Sequence, residues 1–214
     1  MKTLYLDTSS SFLYCAVLEN NRVISKINEK LNNNLSLLTL PKIEELLHNS
    51  NTKLDDINLI VACNGPGSFT GIRIGLTIAK TLSWAKKIPI VLISSLEAMA
   101  VSSLSYDFIV PAIDARRNYL YASIFDTKNN NFIMNEKYIS ANTLDIALQN
   151  LNGSVCFISN DSINTNYDLQ PYDPVFERIV NYVKDRKPIN PHAVDANYLK
   201  LTEAEEKRIE INHD

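Results

Sequence analysis

The chain has 214 residues, of which 45% are apolar and 21% charged. This is the balance of an ordinary globular protein of one large domain or two small ones, and it excludes a disordered or fibrous chain. A net charge of −3 argues against a protein that grips nucleic acid alone, because neutralising phosphates takes a basic face. The longest apolar run, residues 88–93, falls far short of a membrane span. The opening MKTLYLD is too short for a signal peptide, so a cytoplasmic location is expected. The three cysteines form no CxxC pair and read as buried, reduced thiols.

In chain order, 3–6, 12–19 and 22–27 read as strands joined by tight turns, an antiparallel meander. Residues 35–49 carry Leu35, Leu38, Ile43, Leu46 and Leu47 at helical spacing, with Pro41 marking the first turn or a kink. A buried strand is expected at 57–64, a helix with a basic tail at 71–87, a strand at 88–94 and a further helix from 94. Ser94 and Glu97 have the spacing of a capping box there. The pattern then restarts, with strands at 108–114, 119–126 and 132–140 and a helix at 143–150. A strand at 154–160 and a helix at 174–187 complete the second half.

The two openings superimpose without gaps. Asp7 and Asp114 stand 107 positions apart, and the same offset aligns Leu13 with Leu120, Tyr14 with Tyr121 and Val17 with Ile124. Such agreement favours a duplicated unit of β-meander, helix, strand and helix. Two such units around a cleft describe an α/β protein of the actin-like (ASKHA), ribonuclease-H-like architecture. The expected division is 1–105 and 106–214, with the last segment packing back on the first part.

Four of the five glycines fall between Asn64 and Gly75, in NGPGSFTGIRIG. The run lacks the Lys of a phosphate loop and the spacing of a dinucleotide fingerprint. Gly65, Pro66 and Gly67 permit a sharp reversal between strand and helix, and Ser68 or Thr70 can cap the helix. Within it, Gly71, Gly75 and Ala79 make a stripe without side chains. Interior glycine costs a helix about 1 kcal/mol relative to alanine, so the stripe implies close approach by another backbone, either internal or of a second chain. Arg73 and Lys80 flank it, ready for partner carboxylates. The loop of Asp7, Thr8 and Ser9, at a strand end, reads either as a source of amide and hydroxyl donors for a phosphate or as an ordinary hairpin turn. Arg116 and Arg117 read either as a phosphate or carboxylate clamp or as solvated turn residues. The three histidines are isolated, so no metal site and no catalytic constellation is expected.

LDTSSS, GPGSFTGIRIG, ISSLEAMA, IDARRNY and YLKLTEAE, in this order, resemble the TsaB (YeaZ) family over nearly the whole chain, most specifically from Gly65 to Gly75. The resemblance implies the actin-like fold and a non-catalytic subunit in making threonylcarbamoyladenosine at position 37 of tRNAs that read ANN codons. Its implied partners are a catalytic TsaD-like subunit, whose metal is held by histidines, and a TsaE-like ATPase. A homodimer is implied when the chain is alone, with tRNA reached only through the complex and no membrane. No cofactor is implied for this chain, with ATP or ADP at the level of the complex. The implied interface lies on 35–49 and 70–86, at Leu38, Ile43, Gly71, Arg73, Gly75, Leu76, Ala79 and Lys80, so Gly75→Leu should abolish pairing in a chain that stays folded. Two departures stand out: Leu35-Ser36 replaces the His-Ser of many members, and 159–161, SND, replaces a Gly-x-Gly turn. The competing expectation is an actin-fold ATPase or kinase using Asp7 and the cleft.

Overall fold

The computed structural model describes residues 1–200; the YLKLTEAE motif past Lys200, and most of the charged tail, lie outside the described residues. The first sheet has the order β3–β2–β1–β4–β5, from β1 (Lys2–Asp7), β2 (Phe12–Glu19), β3 (Arg22–Lys30), β4 (Ile57–Cys63) and β5 (Ile90–Ile93). The second has the equivalent order β8–β7–β6–β9–β10, from β6 (Phe108–Asp114), β7 (Tyr119–Asp126), β8 (Asn131–Ser140), β9 (Val155–Ile158) and β10 (Asp168–Gln170). In each, the first three strands form an antiparallel meander, and the first strand pairs in parallel with the fourth. β2 and β7 stand at the 107-residue offset from first residue to last.

Side-chain alternation assigns the faces. On β1, Leu4 and Leu6 point outward to a core roofed by α1 (Leu35–Asn49) and α2 (Phe69–Lys86), where they join Ile43, Leu46, Ile72 and Leu76. Tyr5 points the other way, into a core between the sheets. That inner core holds α3 (Ser95–Ser102) and α5 (Phe176–Val183), whose Leu96, Met99, Phe176 and Ile179 meet Val61 of one sheet and Phe125 and Ile158 of the other. Outside the second sheet, α4 (Ala141–Gln149) packs Leu144 and Leu148 over Val110, Leu120 and Phe157. α1 passes through Pro41 without a break. The Ser94–Glu97 capping box is formed, with the Ser94 hydroxyl accepting from the Glu97 amide at 2.9 Å and Glu97 accepting from the Ser94 amide at 3.0 Å.

The second half departs from a full repeat. No helix joins β9 to β10; residues 159–167 instead lay Ile163 and Tyr167 against the outer core. The helix expected at 174–187 is α5, shorter than expected, and it takes the place of α3 rather than α2. β10 was not foreseen, because its three residues are all exposed and show no alternation. After α5 the chain returns to the first half. The Ile189 amide donates to the Ile90 carbonyl at 2.9 Å, Val194 enters the outer core, and the Asn197 amide donates to the Asn64 carbonyl at 2.8 Å.

Candidate functional site

The glycine cluster is a seat for the β1–β2 loop. Gly65 and Gly67 have φ of +94° and +151°, which side-chain-bearing residues rarely adopt. A Cβ on Gly67 would overlap the Ser9 carbonyl, one on Gly71 the Thr8 carbonyl oxygen, and one on Gly75 the Thr8 hydroxyl. The loop is also bonded there. Thr8 Oγ1 donates to the Gly71 carbonyl at 2.7 Å, and the Ser68 amide donates to the Ser9 carbonyl at 2.7 Å. Ser68 caps α2 by accepting from the Gly71 amide at 3.2 Å.

This corrects two expectations. Gly71, Gly75, Leu76, Ala79 and Ile43 face the chain's own interior, so the backbone that the stripe admits is that of residues 8 and 9. Thr8 is buried with its hydroxyl committed to Gly71, and the Ser9 amide donates to Asp7 Oδ1 at 2.7 Å. These two donors are therefore not free for a phosphate. Of the proposed interface residues, Arg73 and Lys80 are exposed and Leu38 is half-buried.

Between the halves lies a cleft of about 640 Å³. Asp7 and Asp114 sit at its base, at the ends of β1 and β6, and their turns repeat in detail: the Arg116 amide donates to Asp114 Oδ1 at 2.8 Å as Ser9 does to Asp7. Arg116, Arg117 and Asn118 all have positive φ (67°, 54° and 62°), a conformation that non-glycine residues enter singly as a rule. The SND segment ties the halves together through Asn160, whose Nδ2 donates to the Tyr14 hydroxyl at 2.6 Å. Within the second half, the Asp114 amide donates to Asp161 at 2.8 Å. Phe12, Tyr14, Tyr121 and Tyr172 also line the cleft; the 107-residue match of Tyr14 with Tyr121 was the sequence signal for two of them.

Burial pushes the Asp7 carboxyl above its ordinary range, against the lowering effect of the Ser9 amide. A raised carboxyl pKa gives stability that is complete below the unfolded value, near pH 4, and is lost as pH rises through the folded value. Asp7→Asn keeps an acceptor for the Ser9 amide and removes the buried charge. The variant is expected to melt higher than the parent at pH 7, with the gap closing toward pH 4; thermal melts across that range measure it.

A second polar cluster joins the halves on another face. Arg186 makes a two-pronged pair with Glu97, at 2.7 and 3.1 Å, and donates to the Leu92 carbonyl. Glu136 of β8 accepts from the Ser94 hydroxyl and from Asn197 Nδ2. Among the described residues, no group of three or more His, Cys, Asp or Glu is placed to hold a metal ion, and no helix is long and apolar enough to cross a membrane.

The outer face of α1 and α2 presents apolar side chains that the described residues leave largely uncovered. Leu37 is 70% exposed, Phe69 53% and Leu40 46%. Beside them a groove of about 520 Å³ is lined by Ser36, Phe69, Arg73, Ile74 and Ile78. Arg73 lies 3.8 Å above the Phe69 ring and donates to the Tyr198 hydroxyl at 3.0 Å, and Tyr198 stacks on Phe69.

Two sheets of equivalent order, each with an aspartate ending its first strand at a shared cleft, define a protein of the actin-like class. The family model for TsaD, tRNA N6-adenosine threonylcarbamoyltransferase, matches residues 26–154. The tRNA threonylcarbamoyladenosine biosynthesis protein TsaB of Bacillus subtilis is 30% identical over 98% of this chain and 99% of its own. Its Escherichia coli namesake is 32% identical over 61% of this chain and 57% of its own. YeaZ from Pseudomonas aeruginosa has the same fold, with a TM-score of 0.75 at 18% identity, over 92% of this chain and 99% of its own. The chain belongs to the TsaB (YeaZ) family, within the wider family that the TsaD model describes.

Proposed function

We propose that this chain is the non-catalytic subunit for N6-threonylcarbamoylation of adenosine 37 in tRNAs reading ANN codons, and that it binds and activates a TsaD-like transferase. The observation that carries this reading is the exposed apolar face of α1 and α2. Leu37, Leu40 and Phe69, with the adjoining groove, form a contiguous patch of the kind that marks protein–protein contact. The binding residues are those of the outer face, with Arg73 and Lys80 at its edge, and the buried glycines hold α2 in place behind them. The same face, self-complementary, makes a homodimer when the chain is alone. A TsaE-like ATPase joins the assembled pair. The Thr8 hydroxyl and the Ser9 amide, bonded to Gly71 and Asp7, are two donors fewer for the ATPase alternative.

Reconstitution tests the reading. With a TsaD-like subunit, a TsaE-like ATPase, threonylcarbamoyl-adenylate and tRNA, transfer is expected to depend on adding this chain. Transfer at full rate without it overturns the accessory role. ATP turnover by the purified chain that is lost in Asp7→Asn would establish the enzymatic alternative instead.

A further inference from the structure

The mouth of the cleft, that is, the lining residues Phe12, Lys30, Arg116 and Tyr121 with the side chains that adjoin them, carries aromatic and cationic groups that the α1–α2 face does not use. On the second half, Tyr119 and Tyr138 stack at 4.6 Å with planes 12° apart, and Tyr121 leans on Tyr138 at 5.7 Å. Lys200 lies 5.3 Å above the Tyr138 ring. On the first half, Phe12 and Tyr14 stack with planes 1° apart, and Lys30 lies 5.7 Å above the Phe12 ring. Arg116 lines the cleft with Lys30 and Tyr121, and Arg117 follows it in the left-handed turn. Lys30, Arg116, Arg117 and Lys200 are exposed, and none forms an ion pair with a described residue. The acidic groups facing them are Asp114 and Asp161, each accepting a backbone amide, and the buried Asp7.

Aromatic faces that bases can stack on, flanked by cations spread along an opening, are the elements with which proteins hold unpaired nucleic acid. A free nucleotide fits this arrangement less well, because the Thr8 hydroxyl and the Ser9 amide are already bonded within the chain. We propose that the cleft mouth receives the unpaired loop of the tRNA, with bases on Tyr119 and Tyr121 and phosphates at Arg116, Arg117, Lys200 and Lys30. This rests on the reading that the chain serves tRNA modification. It amends the expectation drawn from a net charge of −3: the bulk of the grip belongs to the partners, and this chain adds a local contact.

The test uses the full chain, alone and with its TsaD-like partner, and a fluorescent anticodon stem-loop RNA read by anisotropy. Binding is expected to weaken about twentyfold between roughly 50 and 200 mM salt if three phosphates are neutralised. Tyr119→Ala is expected to weaken it about tenfold and Tyr119→Phe to stay within about twofold of the parent. Lys200→Ala is expected to lower both the affinity and its salt dependence. Tyr119 is 39% exposed and stacked on Tyr138, so Tyr119→Phe is expected to keep the parent's melting temperature and Tyr119→Ala to lower it modestly, and affinities are compared at a temperature where both are folded. The proposal is overturned by absence of saturable binding in both preparations, by equal affinity for a fully paired duplex or for adenosine monophosphate, or by a Tyr119→Ala affinity equal to the parent's. Partner association is measured on the same samples. Normal association with unaltered RNA affinity in Tyr119→Ala removes this inference alone, whereas loop binding by a chain that neither pairs nor stimulates transfer removes the accessory reading.

Discussion

Leu37→Asp combined with Phe69→Asp will abolish association with the TsaD-like subunit and leave the fold intact. Leu37 is 70% exposed, so charging it costs the monomer within about 0.5 kcal/mol, and Phe69→Asp adds the loss of the contacts with Arg73 and Tyr198, about 1 kcal/mol. In a complex the same carboxylates would be buried among apolar groups, and truncating or charging a central anchor costs about 2 kcal/mol or more, some thirtyfold in affinity for each. Phe69 carries more than area. Its ring is in contact with Arg73 and Tyr198, which are bonded to each other, and these contacts restrict its orientation before a partner arrives. Ile146→Asp, on the equally exposed outer side of α4, is the control and will leave association unchanged. Titration calorimetry, with the melting temperature measured alongside, decides the matter; retained affinity in the double variant would move the interface off α1 and α2.

Gly75→Leu will fail as a folded chain, reversing the expectation that it would lose only its partner. Leucine would have to enter space held by the Thr8 hydroxyl, and forcing side-chain volume into a packed interior costs about 1–3 kcal/mol, more where backbone must move. The sharper test is one methyl group. Gly71→Ala improves helix propensity by about 1 kcal/mol, yet its Cβ would meet the Thr8 carbonyl oxygen. It will therefore destabilise the chain in urea denaturation. Thr8→Ala will partly rescue Gly75→Ala, where the obstacle is the Thr8 side chain. It will not rescue Gly71→Ala, where the obstacle is main chain. A stable Gly71→Ala protein would contradict the packing described for the β1–β2 loop.

Much of the fold was legible in the sequence because its signals are local or repeated. Alternation in 12–19 and 119–126 gave β2 and β7 to the residue. Helical spacing gave α1 over 35–49, and the Asp7–Asp114 offset gave the two-fold plan and the cleft between. The motifs from Gly65 to Gly75 gave the family. β10 and the missing counterpart of α2 were not legible. Three exposed residues have no period, and a chain that omits a helix leaves no residue to mark the omission.

The sequence by itself determined that Gly71, Gly75 and Ala79 share one face of a helix, since 3.6-residue periodicity needs nothing beyond the chain's own order. Only the tertiary structure decided what that face meets. Thr8 stands 63 positions from Gly71, and a side-chain-free stripe suits an internal loop and a foreign helix equally well. The same holds for the cleft, which Phe12, Arg116, Tyr121 and Asn160 line from distant segments. Their proximity is a product of how the two sheets close on α3 and α5, and no local pattern encodes it.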